Sequence, residues 1–544
     1  MVAGRMGPSC LGCMKARRFL AIVLAAALML LSLGAGAWWF VLNHSPLQLQ
    51  HRALVVPAAA RFVPRQAPLS LFLFTDGEQP VAYARAVAPP PQRRAAMDAV
   101  ARLRDGAFAA AGLDYSSELS GWLAGEIGLA LLPTGDSTSP DGWLLSLRSR
   151  DSDGARRFLQ RFWQTRSLAG AALQVTSYRG MGLISGRGAL VGTDVVPIAT
   201  ALINDDLVLI ASSRGVLEQA LDVSQIDELN LASSDWLRRG IDALGDGVAL
   251  LLARPAAMET WLGIPAAPLE EGEIAALLAA LRPDGPGLAL EAAISRGSGA
   301  EPGDWAVLPQ AEERAAALLT SLRGEADSLA LLQNPAALPG FLQPLLAATL
   351  AGSSGPLPAL VSAVDAGPLL WAGGRPGGWL LGTGASEPAP EALVPALAAE
   401  GMIAAPLQLA DGRQVQVWTR LAAGGSRKGR STGSQLQAEL VGARAREGAL
   451  AWWSEDLARL EQQAEARHGP RQRLQQLGAL DRRDAGLQWA LGPSPAQELL
   501  RHWSSWRLLS GLAGEPLADA VDGLALALTP EPGGYHLSAR LDLA

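Results

Sequence analysis

The chain repeats a short pattern of apolar run, Gly/Pro turn and second apolar run, and that repetition confines it to an architecture of many short strands. The pattern occurs in "GEIGLALLPTGDSTSPDGWLLSLRSR" from Gly125, "SAVDAGPLLWAGGRPGGWLLGT" from Ser362 and "DAVDGLALALTPEPGGYHLSAR" from Asp519. Each predicts a β-hairpin, because Gly and Pro supply the turn and the flanking runs are of strand length. A second unit also recurs, in which a strand ends and Pro or Ser opens a helix. It is seen in "VALLLARPAAMETWL" from Val248, "LALLQNPAALPGFL" from Leu329 and "ALAWWSEDLARL" from Ala449, with "LSLFLFTD" near Ser70 as a first copy.

Amphipathic helices are expected between these units. "SDGARRFLQRFW" opens at Ser152 or Asp153 and puts Phe158, Phe162 and Trp163 mostly on one side. "PAPEALVPALAAEG" follows Trp379 as that helix follows Trp143. "LEEGE" at Leu269 to Glu273 reads as the charged first turn of a helix "IAALLAALRP".

The N-terminus carries a different signal. Phe19 to Leu42 is almost wholly apolar, and as a helix it would be about 36 Å long. A bilayer core is about 30 Å thick, so this segment predicts a transmembrane anchor with some tilt. Trp38 and Trp39 stand at its far end, where an aromatic belt belongs. Lys15, Arg17 and Arg18 precede it, and through Pro57 only Arg52 is basic after it. The positive-inside rule then leaves the N-terminus in the cytoplasm and the body across the membrane. Ala35-Gly36-Ala37 has the form of a signal-peptide cleavage site, the competing reading.

The fold class expected is α+β: an N-terminal transmembrane helix followed by a duplicated body of antiparallel β-hairpins, with amphipathic helices packed on one face. The expected divisions are a cytoplasmic tail 1–18, the anchor 19–42, a polar stalk 43–66, and two α+β domains 67–300 and 301–544 joined near Gly297 in "GSGAEPGD".

Composition excludes more chemistry than it suggests. The only cysteines are Cys10 and Cys13, ahead of the apolar run, so the body has no disulfide and no thiolate nucleophile. A net charge of −7 over 544 residues is not the basic footprint of a nucleic-acid binder. Lysine occurs only at Lys15 and at Lys428, in the Gly/Ser loop "GGSRKGRSTGS", which leaves no Schiff-base candidate. Beyond His44 and His51 of the stalk there are only His468, His502 and His536, far apart in sequence, and no HExxH. A Ser-His-acid triad would have to use one of these three, and His536 sits in the last expected strand. "GRGALVG" from Gly186 has the wrong spacing for a dinucleotide loop. Asn204, Asp205 and Asp206 in "INDDLVLI" read as a hairpin turn, and "DSDG" at Asp151 as a helix cap. No catalytic, cofactor-binding or metal-binding residue is assigned.

Tryptophan is the unusual residue, at 16 copies, and most fall in or beside apolar runs, as core residues do. "HWSSWRLL" from His502 is the best candidate for a partner or ligand surface, because Trp503 and Trp506 would share a helix face at i, i+3.

Five segments resemble a domain-of-unknown-function family, DUF3352, common in cyanobacteria. They are "FVPRQAPLSLFLF" from Phe62, "GLDYSSELSGWLAGEIGLALL" from Gly112, "GWLLSLRSRDSDGARRFLQRFW" from Gly142, "YRGMGLIS" from Tyr178 and "ALINDDLVLIASSRGVLEQALD" from Ala201. The resemblance implies a single-anchor protein of the inner or thylakoid membrane, with a large extracytoplasmic body in the periplasm or thylakoid lumen. It carries no activity. The function expected is a non-enzymatic interaction or assembly protein of the envelope or thylakoid membrane, with a membrane-protein partner. The alternatives are a binder or carrier of an apolar ligand such as a lipid or pigment, and a carboxylate-based hydrolase acting on glycans.

Overall fold

The computed structural model describes residues 45–133, 142–168, 173–188, 196–264, 269, 272–297, 311–335, 339, 342, 367–373, 378–384, 390–409, 412–423 and 436–543. Among these, twenty strands form one antiparallel sheet. The first ten are β1 (Leu69–Leu73), β2 (Leu123–Leu132), β3 (Gly142–Ser149), β4 (Gln174–Tyr178), β5 (Met181–Gly188), β6 (Val196–Ile203), β7 (Leu207–Ala211), β8 (Ala249–Ala253), β9 (Ala276–Asp284) and β10 (Gly287–Ser295). The second ten are β11 (Ser328–Leu332), β12 (Leu369–Gly373), β13 (Trp379–Gly384), β14 (Met402–Gln408), β15 (Gln414–Ala423), β16 (Leu436–Glu447), β17 (Leu450–Ser454), β18 (Leu487–Leu491), β19 (Val521–Glu531) and β20 (Gly534–Leu543).

The pairings trace one path. From one edge it runs β4-β5-β6-β7-β3-β2-β1-β8-β9-β10. From the other edge it runs β14-β15-β16-β17-β13-β12-β11-β18-β19-β20. The second order repeats the first strand for strand. The two runs meet where β10 pairs antiparallel with β20. Glu291 faces Ser538 there, and the two occupy the same position along their strands, counted from Gly287 and Gly534. A local two-fold axis therefore passes through that pair.

Central strands are buried on both sides: every residue of β7, β11, β17 and β18 is buried. Strands of that kind read as continuous apolar runs rather than alternating ones. Helices accordingly cover both faces, not the single face expected. In the first half, helices Arg214–Val223 and Asp235–Leu244 pack with Leu209, Leu250 and Leu278 on one face. Helix Ser152–Leu168 places Phe158, Phe162 and Trp163 against Leu145, Leu147 and Ile210 on the other. In the second half, Leu318, Leu460 and Leu477 of three helices meet Leu329, Leu370 and Trp452. Leu393 and Leu397 of helix Pro390–Ala399 meet Leu381 and Trp453 on the opposite side.

Tryptophans fill the core. Trp418 stacks on Trp453 at 5.3 Å between ring centroids, and the Arg444 guanidinium lies 4.6 Å from the Trp453 ring. Burial and the neighbouring Arg446 charge push the Arg444 pKa down to about 10. It stays charged at neutral pH, and the cation–π contact with it.

Other expectations are corrected. The expected fold of an anchor helix and two hairpin domains gives way to one large antiparallel sheet with helices. Among the described residues no helix is long and apolar enough to cross a membrane. The Phe19–Leu42 segment, with Trp38 and Trp39, lies outside the described residues, as do Lys15, Arg17, Arg18, Lys428 and most of "GSGAEPGD". Residues 45–66 are not a free stalk. Leu49, Leu54, Ala59, Ala60, Phe62 and Val63 are buried, and the Ala59 N–H donates to the carboxylate of Glu126 at 3.0 Å. Apolar content there outweighs the prolines. "IAALLAALRP" is not a helix but β9, whose whole length pairs with β10 and part of which pairs with β8.

The joint between the halves is close enough to need glycine at both ends. A Cβ on Gly287 would collide with the Leu541 carbonyl oxygen, and one on Gly534 with that of Ile294. Gly534→Ala should therefore destabilise the protein by about 1–3 kcal/mol, read as a lower unfolding midpoint. Gly182→Ala, where an added Cβ meets nothing, should leave the midpoint nearly unchanged. Equal midpoints for the two variants would contradict the close approach.

Candidate functional site: the polar cluster on the local two-fold axis

Strand alternation puts His536 and Ser538 on one face of β20, and the register sets Glu291 of β10 opposite them. Arg482 arrives from the turn after helix Arg471–Ala479, where Asp481 adopts φ +49. Gln488 and Gln333, both buried, hold that turn by donating to the carbonyls of Arg482 (2.9 Å) and Arg483 (2.7 Å).

One carboxylate oxygen organises the cluster. Glu291 Oε2 accepts from Ser538 Oγ at 2.6 Å and lies 2.7 Å from His536 Nε2 and 3.4 Å from Arg482 Nη2. Arg482 Nε donates to Ser538 Oγ at 3.0 Å. His536 Nδ1 lies 3.6 Å from Glu531 Oε1. Arg540, two residues beyond Ser538, pairs with Asp284 of β9 and with Asp542. A polar stripe thus runs along the joint on this face. Tyr535, Leu537 and Ile294 form an apolar strip on the other.

These are the residue types of a serine hydrolase in the wrong order. A nucleophilic serine needs the imidazole as its base, with the acid behind it. Here the carboxylate stands between serine and histidine and itself accepts the hydrogen bond of the serine hydroxyl. Ser538 is 1% exposed, so no substrate reaches it. The arrangement binds strands together; it does not activate a nucleophile.

The structure separates the other histidines from this cluster. His468 contacts Arg471 at the surface, and His502 lies against the Glu498 carbonyl. Asn204 and Asp205 have φ of 48° and 64° in the β6–β7 turn, and Asp205 pairs with Arg156 at 2.7 Å. Among the described residues no group of three or more His, Cys, Asp or Glu side chains could hold a metal.

Trp503 and Trp506 do not share a helix face. Helix Pro493–His502 ends, Trp503 adopts an extended conformation, and a new helix runs Ser504–Ala513. Trp503 is 40% exposed and donates its indole N–H to the Leu262 carbonyl at 2.6 Å. Trp506 packs against the core formed by Trp489, Leu500 and Val521. Sequence reasoning missed Glu291 and Arg482. The signal for Glu291 was legible: it is the lone charge in the strand "GLALEAAIS", and His536, Ser538 and Arg540 alternate in "GYHLSARLDL".

The profile of a family described as "Protein of unknown function (DUF3352)" matches residues 23–329, over half of the chain. The chain belongs to the DUF3352 family. The match covers the first ten strands and stops as β11 begins. No curated protein matches this DUF3352 chain. Solved structures with some likeness include TP0453 in crystal form I, at 9% identity and a TM-score of 0.27, covering 45% of this chain and 80% of that one. Crystal form III of TP0453 gives 8% identity and 0.26, covering 50% and 89%. Likeness at those TM-scores carries no inference about fold or function.

The Glu291 carboxyl is pulled two ways. Burial raises its pKa, but hydrogen bonds from His536 and Ser538, with the charges of His536 and Arg482, outweigh burial and hold it below the ordinary glutamate value. A depressed folded-state pKa means that ionised Glu291 stabilises the fold above its unfolded pKa of about 4.3. That contribution is lost as pH falls through the folded-state value. Below about pH 4.5, the unfolding midpoint should fall more steeply for the unaltered protein than for Glu291→Gln. At pH 7 the variant should be less stable by about 1–3 kcal/mol. Parallel pH curves would show that Glu291 carries no such linkage.

Proposed function

We propose that this DUF3352 protein is a non-enzymatic interaction or assembly protein that meets a membrane-protein partner. The observation carrying this reading is a set of exposed apolar side chains on helix Ser504–Ala513 and the turn it touches. Trp261, Trp503, Leu508 and Leu509 are 37–50% exposed. The Trp503 N–H and the Ser505 hydroxyl both donate to carbonyls of the Met258–Leu262 turn, which draws Trp261 and Trp503 together. Exposed aromatic and leucine side chains held on a rigid frame suit a protein interface.

The body is proposed to face the periplasm or thylakoid lumen of a cyanobacterial cell. What supports this is the charge asymmetry of Lys15, Arg17 and Arg18 around the apolar N-terminal run. Added protease should then digest a periplasmic body in spheroplasts, and a lumenal body in inverted but not in right-side-out thylakoid vesicles. Digestion in right-side-out thylakoid vesicles, or protection in spheroplasts with digestion in inverted plasma-membrane vesicles, would overturn the placement.

The carrier reading has less support. The cavity bounded by Pro64, Ser70, Trp236 and Arg254 is about 10 Å³, room for one water and no lipid. The depression at Asp105 and Gly112–Glu118 is open and half polar.

The test is a crosslinked pull-down of the full chain from gently solubilised native membranes, with proteins and lipids both identified. A reproducible membrane-protein partner is expected, with recovery falling about tenfold for Leu508→Ser with Trp503→Ser, a loss typical of removing a hot spot. A preparation carrying only a stoichiometric lipid or pigment would overturn the reading.

A further inference from the structure

The two free edges of the sheet are not equivalent. β4 pairs only with β5, and β14 only with β15, among the described residues. Arg179 and Gly180 join β4 to β5 with φ of 50° and 80°, a two-residue turn of the type that makes its flanking residues, Tyr178 and Met181, a hydrogen-bonded pair. Antiparallel alternation then turns the N–H and C=O of Tyr178, Thr176 and Gln174 towards β5, and those of Val175 and Ser177 outwards. On β14, the Leu409 N–H bonds the Arg413 carbonyl at 2.9 Å, so the same alternation turns Ala404, Pro406 and Gln408 outwards. Pro406 has no N–H. It removes the middle donor of that edge, a usual guard against strand addition.

β4 has no such guard. "QVTSY" holds no proline and no charge, and Val175 is 76% exposed. The strand is nonetheless anchored, because the Tyr178 hydroxyl donates to Asp222 at 2.8 Å and Arg179 pairs with Asp222 at 2.8 Å.

We propose that β4 is a dimerisation edge, pairing antiparallel with β4 of a second copy of this chain about a two-fold axis at Thr176. In that register Val175 of each copy faces Ser177 of the other, and their outward groups make four backbone hydrogen bonds. Identical uncharged strands meet without repulsion. The two Thr176 side chains become neighbours at the axis. The same chain already joins its halves by antiparallel pairing of equivalent strands, β10 with β20. Pro406 explains why growth stops at two copies: with β14 guarded, β4 cannot add to β14 of a neighbour and build an open filament. This goes beyond the interaction reading above and uses none of the Trp503 surface, so either can fail alone.

Analytical ultracentrifugation of the full chain in mild detergent tests it. A monomer–dimer equilibrium is expected, weakened about tenfold or more by Val175→Lys and by Ser177→Pro and unchanged by Ile403→Lys on β14, with circular dichroism unaltered in all three. In a chain also carrying Cys10→Ser and Cys13→Ser, Thr176→Cys should form a disulfide-linked dimer on oxidation. A monomer at every concentration reached, a dimer indifferent to Val175→Lys, or no crosslink through Thr176→Cys would each overturn the proposal. So would a monomer that instead captures an extended peptide of another protein at β4.

Discussion

The pairing of β10 with β20 is the contact on which the rest of the molecule depends. It joins the tenth strand to the last, so the sheet is continuous only when the final residues of the chain are in place. Each half would otherwise end in a long strand with unmet N–H and C=O groups, an edge that invites wrong pairing. Joining the two edges removes both at once. The cost is kinetic, because a contact between residues near 291 and 538 closes a very long loop, and such contacts form late.

Pairing that long also needs a defined register. A slip of one residue turns every side chain to the opposite face. At this joint a slip of β20 would carry His536, Ser538 and Arg540 from the polar side to the face of Ile294 and Trp371, and bring Tyr535 and Leu537 against Glu291. Burying an unpaired carboxylate and guanidinium among apolar side chains is far costlier than losing one strand pair. The polar cluster thus does for β10 and β20 what a buried asparagine does for a coiled coil. It contributes modest stability but excludes the neighbouring registers. Gly287 and Gly534 act with it, since each admits the carbonyl of the opposite strand at one end.

On this symmetric frame the second half has grown asymmetric braces. After β8 the described residues include two short helical turns, Pro255–Ala257 and Met258–Leu262. After the corresponding β18 the chain makes two helices, Pro493–His502 and Ser504–Ala513. The second of these lies against helix Arg93–Ala110 of the first half, where Gly106 meets the Leu512 carbonyl and Arg102 pairs with Glu515 at 2.7 Å. The halves are therefore tied by a helix contact as well as by the strand joint. The exposed Trp503, Leu508 and Leu509 belong to this element, and Trp261 of the first half completes the surface proposed for a partner.

Local elements were largely legible in the sequence, and their pairing was not. The strand pairs β2–β3, β12–β13 and β19–β20 form from the apolar runs after Gly125, Ser362 and Asp519, and helix Ser152–Leu168 buries Phe158, Phe162 and Trp163 as its spacing requires. The resemblance of the Ser362 hairpin to the Asp519 one was misleading, because β12–β13 correspond in the sheet to β2–β3, while β19–β20 correspond to β9–β10. Two-sided burial makes every central strand a similar apolar run, so sequence likeness does not rank the copies. The same physics defeated "IAALLAALRP". Alanine and leucine favour a helix in isolation, and a run without alternation gives no strand period. Yet β8 and β10 present rows of unmet backbone groups on both sides of it. Ladder hydrogen bonds along nine residues of β9 outweigh a preference worth a few tenths of a kcal/mol per residue. The polar cluster was hidden for a related reason: Glu291 is far from Arg482 and Ser538 in sequence, and only the β10–β20 register brings them to one oxygen atom.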